Sequence, residues 1–321
     1  MARNSRLQQV LSSIDAQGRG RARRPSASAG RDLDPDLAWF GALAARLFAE
    51  LPLSEERLRL RFPTLRAAGQ PVDLPRLVAA TNRSGLQEPL AIVKLGGASI
   101  AVRRKDLPIV SGIYATAVRV TYNWGATTVG AVAAQLSAIW STIVDGIVVS
   151  RVLVEVPGFE WLDEAKGWFW FRTRPSRMVD ALAKIFSVAR SLSRARLHRV
   201  LFKGHDPRLR PPLRAVDKIA ATLPGVRIEG DAVTIPARLD RAMYLSATER
   251  ALVQALEPRS GPLRVQALRD IEALGSLSAR AVLRLVRLSP VLEVLPAGLC
   301  CLVGAPLTAS ISERVPRRSR R

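Results

Sequence analysis

The 321-residue chain is short of the side chains on which much catalysis and most metal binding rest, with two histidines and two cysteines. Cys300 and Cys301 are adjacent, and neighbours on a strand point to opposite faces, so neither a mutual disulfide nor a shared metal fits them. Lacking a disulfide framework, the chain suits a reducing, cytoplasmic compartment. His198 and His205 have no Cys, Asp or Glu at ligand spacing, which points to structural or surface roles and to no metal. There is no phosphate-binding loop, dinucleotide fingerprint or nucleophile elbow. Adjacent carboxylates such as Asp163-Glu164 fall in a predicted turn. The expectation is therefore no enzyme: no catalytic residue, no cofactor and no small-molecule substrate.

Long apolar runs are also scarce. The one uncharged stretch lies between Arg119 and Asp145, and within it Thr127–Val144 carries Thr127, Thr128, Gln135, Ser137, Ser141 and Thr142. That polar load reads as a buried helical pair rather than a span, so no membrane partner is expected. No secretory leader is evident, although the Arg- and Ser-rich start would also suit an organelle transit peptide.

What the chain does have is positive charge. Its formal net charge is +22, and only six of its 49 basic residues are Lys. An Arg-Ala-Leu vocabulary also suits a GC-rich genome. The ends hold part of the charge, +6 over residues 1–31 and +4 over 313–321, which leaves +12 on the body. A body this basic, with 48% hydrophobic residues to build cores, suits a polyanionic partner, nucleic acid first.

Pattern along the chain gives the organisation. Residues 1–31, rich in Gly, Ser, Pro and Arg, read as a disordered basic arm with Arg19, Arg21, Arg23 and Arg24. Residues 32–104 read as a helical N-terminal domain ending in a hairpin, which is also the outline of a degenerate winged helix. Three units then succeed one another at 105–173, 174–238 and 239–306, each of three helices and a two-stranded ribbon. The proline closing each third helix falls at Pro157, Pro224 and Pro290, which are 67 and 66 residues apart. Residues 307–321 form a second basic arm with Arg317, Arg318, Arg320 and Arg321. The expected fold class is α+β, mostly α, with three tandem winged helix-turn-helix modules after the helical N-terminal domain.

The stretches PGFEWLDEAKGWFWF, RPSRMVDALAKIFSVARSLSRARLHRVLF, LPGVRIEGDAVTI and LSATERALVQALEPRSGPLRVQALRDIEALG resemble the tandem winged-helix repeats of some bacterial sigma-factor-like proteins. They are also similar to HARE-type helix-turn-helix modules. The resemblance covers about residues 105–304, rests on apolar, Gly and Pro positions, and implies DNA binding with a transcription-linked role.

In such a module the third helix enters the major groove. The last unit places Arg280, Arg284 and Arg287 at i, i+4 and i+7, with Val282, Leu285 and Leu288 expected on the core face. The middle unit offers Arg214 and Lys218 on its third helix, with Leu213, Val216, Ile219 and Leu223 as its core stripe. Arg208 and Arg210 precede that helix and Arg227 stands on the ribbon. The unit at 105–173 has only Arg151 on an apolar third helix, but its ribbon carries Phe159, Trp161, Trp168 and Trp170 as candidate partner-binding or inter-module residues. The expected function is double-stranded DNA binding, as a bacterial transcription regulator or a chromosome-associated, nucleoid-located factor. The alternatives are an adaptor that binds RNA polymerase or another protein complex through the aromatic unit, and an RNA-binding protein.

Overall fold

The computed structural model describes residues 46–67, 70–85, 88–203, 210–258, 261–271, 278–295 and 298–306. Both arms lie outside these residues, as do His205 and Arg208. After helical residues 46–50 come β1 (Leu53–Ser54), α1 (Glu55–Arg61), the small hairpin β2 (Arg66–Ala67) and β3 (Gln70–Pro71), α2 (Leu74–Ser84), β4 (Leu90–Leu95) and β5 (Ala98–Arg103). A second unit comes next, with α3 (Leu107–Trp124), β6 (Thr127–Thr128), α4 (Val129–Trp140), α5 (Gly146–Leu153), β7 (Phe159–Asp163) and β8 (Trp168–Phe171). The third has α6 (Arg177–Val188), β9 (Ser191–Ser193), α7 (Arg194–Leu201), α8 (Leu213–Ala220), β10 (Arg227–Glu229) and β11 (Ala232–Thr234). The one-turn helix α9 (Arg241–Tyr244) leads to the fourth, with α10 (Ala247–Leu256), β12 (Leu263–Arg264), α11 (Ala279–Leu288), β13 (Leu292–Leu295) and β14 (Leu299–Leu302). The chain is thus α+β, a succession of helices and small antiparallel sheets.

One topology recurs in all four units. A strand of two or three residues ahead of the second helix pairs antiparallel with the last strand of the hairpin, giving sheet orders β1-β5-β4, β6-β8-β7, β9-β11-β10 and β12-β14-β13. Representative registers are Leu53↔Ala101, Thr127↔Phe169, Leu192↔Val233 and Leu263↔Cys300. In three units the residue that ends this strand also caps the helix: Ser54, Thr128 and Ser193 accept from the amides of Arg57, Ala131 and Arg196. In the fourth unit Arg264 stands at that position and offers no acceptor. There the second of the three expected helices is a 3-10 segment at Val265–Asp270, and residues 272–277 lie outside the described residues. No helix among the described residues is long and apolar enough to cross a membrane; Thr127–Val144 contributes β6, α4 and the turn toward α5.

Apolar burial does not stop at unit borders. Leu95, Ile100 and Val102 of the first hairpin share a core with Val110, Ile113, Val149 and Phe169 of the second unit. Ala126, Leu162 and Trp170 of the second unit join the core that runs through the third and fourth. At the border between second and third units Gly125 has φ +78°, and a Cβ there would lie 2.3 Å from Met178 Cβ. Only glycine permits that approach.

Buried carboxylates lock the same borders. Glu155, just after α5, accepts from the Ser54 amide at 2.9 Å and from the Arg57 guanidinium, tying the second unit to the first. Lys184 on α6 donates to Glu249 on α10 at 2.8 Å, and Arg196 Nε on α7 donates to Glu293 on β13 at 2.7 Å, tying the third unit to the fourth. Arg57 and Arg196 are each the third residue after a serine cap, so one position of the repeat makes the same kind of joint twice.

Removing the Glu155 carboxylate strands a buried amide and a half-buried guanidinium. Glu155→Ala is expected to lower unfolding free energy by about 3 kcal/mol, within the range for breaking one side of a buried pair. Urea denaturation checks this, and a loss below about 1 kcal/mol would place the joint among surface pairs. A second expectation concerns acid. Glu257, bonded first by Arg241 and then by Arg238, is held at about 2, below its ordinary 4.5. A depressed carboxyl contributes stability above the unfolded value that is lost as pH falls through the folded one. Between pH 4.5 and about 2, Glu257→Gln should therefore lose less melting temperature than the parent chain.

Candidate nucleic-acid interface

The third helices repeat one inward pattern. Eight residues before each closing proline stand Val149, Val216 and Val282, all fully buried, and four before it Leu153, Ala220 and Val286, also buried. What differs is the outward face. Ten residues before the proline the units carry Ile147, Arg214 and Arg280, and six before it Arg151, Lys218 and Arg284. All six side chains are exposed.

On α11 the outward face is a stripe of guanidinium groups. Ser278 caps the helix by accepting from the Ala281 amide. Val282, Val286 and Ser289 face inward with Leu285 half-buried beside them, and Ser289 donates to Glu249 at 2.9 Å. The expected core face included Leu288, which is instead 67% exposed. Helical geometry puts Val286 and Ser289, at i+4 and i+7 from Val282, on the buried stripe and turns Leu288 outward beside Arg284. Arg280, Arg284 and Arg287 are exposed, and among the described residues none of them pairs with a carboxylate.

A lysine that sequence pattern does not single out fixes the end of this helix. Lys203, beyond α7, donates to Val286 O at 2.9 Å, Ser289 O at 2.5 Å and Leu292 O at 2.7 Å. All three ammonium protons go to carbonyls at the close of α11 and the start of β13. Burial pulls its pKa down to about 8, against the opposing influence of Glu293. The available sequence signal was rarity, since Lys203 is one of six lysines in an Arg-rich chain.

The middle unit is different. α8 packs against the ribbon of the second unit, and Lys218 Nζ donates to Trp161 O at 3.1 Å. Arg194 bonds Asp217 and pins the other side of α8 to α7. Arg214 is exposed, Arg227 is exposed on β10, and Arg210 is half-buried and engaged. Leu213, expected in the core stripe, is 39% exposed at the helix start, while Val216, Ile219 and Leu223 are buried as expected.

The aromatic ribbon faces inward. Trp170 is 2% exposed, its indole N–H donates to Glu160 at 3.2 Å, and its ring lies in the core shared with the third unit. It cannot meet an outside partner, which corrects its place among the partner-binding candidates. Phe159 and Trp161 stack edge to face at 4.9 Å, half-buried against the second unit's core, and Trp168 is half-buried against the shared one. The second unit's exposed large hydrophobic residues lie elsewhere, at Ile109 and Tyr122 on α3 and at Ile139, Ile143, Ile147 and Val148.

Among the described residues no group of three or more His, Cys, Asp or Glu is placed to hold a metal. His198 Nε2 sits 2.7 Å from Pro211 O. Cys300 and Cys301 are buried, and burial pushes both thiols up to about 11, where they are poor nucleophiles. The chain matches no protein-family model, and no curated protein is significantly similar to it.

Lys203→Met keeps the aliphatic stem but leaves three carbonyls without their donor. The expected cost is about 3 kcal/mol, the lower end for several buried unsatisfied acceptors. A shift in denaturation midpoint at unchanged slope would show it, and an unchanged midpoint would mean that the carbonyls find other donors.

Proposed function

We propose that this chain binds double-stranded DNA through tandem winged helix-turn-helix units, as a transcription regulator or chromosome-associated factor. The observation that carries the reading is the α11 stripe: three exposed, unneutralised guanidinium groups opposite a fully buried valine face. Support comes from the recurring order of helix, short strand, two helices and hairpin, and from the +22 net charge. Guanidinium groups at this spacing can fork onto guanine edges or clamp phosphates. The expected resemblance to sigma-factor-like and HARE-type modules belongs to this reading. So does division of labour among units, with α11 at the duplex and α8 held inside the array.

A second role attaches to the second unit. Its third helix presents Ile147 and Val148, and the preceding turn presents Ile143 at 96% exposure. That apolar face, rather than the aromatic ribbon, would take a protein partner such as a polymerase.

The test is a gel-shift titration against salt. Duplex affinity should fall steeply with salt, and Arg280→Ala with Arg284→Ala should weaken it about 30-fold, with the log–log salt slope reduced by about 2. Absence of duplex binding at low salt would end the DNA reading. A double variant that binds like the parent while deletion of the arms abolishes binding would replace groove insertion by tethering through the arms.

A further inference from the structure

Where the second, third and fourth units meet, a cleft of about 260 Å³ opens beside the end of α11. Among the described residues its charged lining is Arg177, Lys203 and Arg287, and none that lines the cleft is a carboxylate. Trp124, Phe202 and Leu288 supply apolar walls. We infer that this cleft holds a phosphate group, with the Arg177 and Arg287 guanidiniums as its ligands.

Three observations support this. Arg177 and Arg287 are exposed, and among the described residues neither is neutralised by an acid. The Arg177 guanidinium lies 5.4 Å from the centre of the Tyr122 ring, a contact that steadies it without removing its charge. Lys203 gives two protons to the Val286 and Ser289 carbonyls at the close of α11 and the third to Leu292 on β13, so the negative pole of that helix is covered beside the cleft. A pocket with two guanidinium forks and, among the described residues, no acid in its lining matches the oxygens of a phosphate, which guanidinium binds in bidentate fashion.

Two sources share this chemistry: a backbone phosphate of bound duplex, and a free phosphorylated small molecule. Arg287 belongs to the α11 stripe and to the cleft lining, so a duplex on α11 would bring a phosphate to the cleft; this arm rests on the DNA reading. The test uses the full chain and four proteins: the parent, Arg177→Gln, Arg177→Gln with Arg287→Gln, and Arg59→Gln as an equal charge loss on α1 of the first unit, outside the cleft lining. Pyrophosphate binding is measured by calorimetry and duplex binding by salt titration, with thermal melts to establish that each variant is folded.

If the cleft serves the duplex, Arg177→Gln lowers the salt slope by about 1 and weakens affinity several-fold at fixed salt, whereas Arg59→Gln does not. If it serves a free ligand, the parent binds pyrophosphate saturably and the double variant loses at least tenfold in affinity. Either result supports a phosphate site and names its source. If folded Arg177→Gln and the double variant match Arg59→Gln in both measurements, the inference is overturned. In that event a loss of duplex binding in Arg280→Ala with Arg284→Ala would still leave the DNA reading standing. Pyrophosphate binding without any duplex binding would leave the cleft and remove that reading.

Discussion

Each unit depends on one small antiparallel pairing, the two or three residues ahead of its second helix against the last strand of its hairpin. An isolated hairpin is marginal in water, and a third strand against a helical layer makes it stable. Here the third strand also sets the start of a helix, because Ser54, Thr128 and Ser193 end the strand and cap the helix with the same side chain. Strand pairing therefore orients the second helix, and the third helix must bury its valine stripe in the space between that helix and the sheet. The outward face of the third helix is what remains. The direction in which α11 shows its arginines is set by the Leu263↔Cys300 pairing, whose two strands bracket the helix in sequence.

The repeats then diverge according to what the outward face meets. On α8 it meets the ribbon of the preceding unit, and Lys218 ends on a backbone carbonyl. On α5 the equivalent positions are Ile147 and Arg151, a face better suited to an apolar surface than to a polyanion. On α11 it meets solvent. Of these three third helices α11 alone shows a stripe of unpaired guanidinium groups, and the shared core holds that helix in fixed relation to its neighbours.

Much of this was legible in advance, for identifiable reasons. The third helices and hairpins announced themselves through apolar periodicity and through prolines at 157, 224 and 290, and the arginine stripe through simple i, i+4, i+7 spacing. The short strands were not visible, since two residues carry no alternation; only the recurring Leu-Ser or Thr-Thr before a helix hinted at them. Leu288 was misplaced because a ten-residue helix admits two adjacent apolar stripes, and the choice between them is made by partners such as Glu249 that lie forty residues away. Trp170 was left open between an outside partner and a neighbouring unit for a related reason. A ribbon's two faces are distinguishable by alternation, but which one meets a neighbouring unit is a tertiary fact. Lys203 had no local pattern at all, its three acceptors being more than eighty residues distant.

The net charge alone says little about where a polyanion would lie; the placement of the acids says more. Glu155, Asp217, Glu249, Glu257 and Glu293 all engage cations at joints within or between units. Each such pair removes one positive and one negative group and leaves the excess unchanged. Because carboxylates are the scarcer partner, 27 against 49, each one engaged at a joint leaves fewer to offset the arginines of the outer faces. The guanidinium groups of α11, none of which pairs with a carboxylate among the described residues, repel one another, a cost that an incoming row of phosphates would relieve. The interactions that hold the units together are thus the ones that leave α11 and the neighbouring cleft unneutralised.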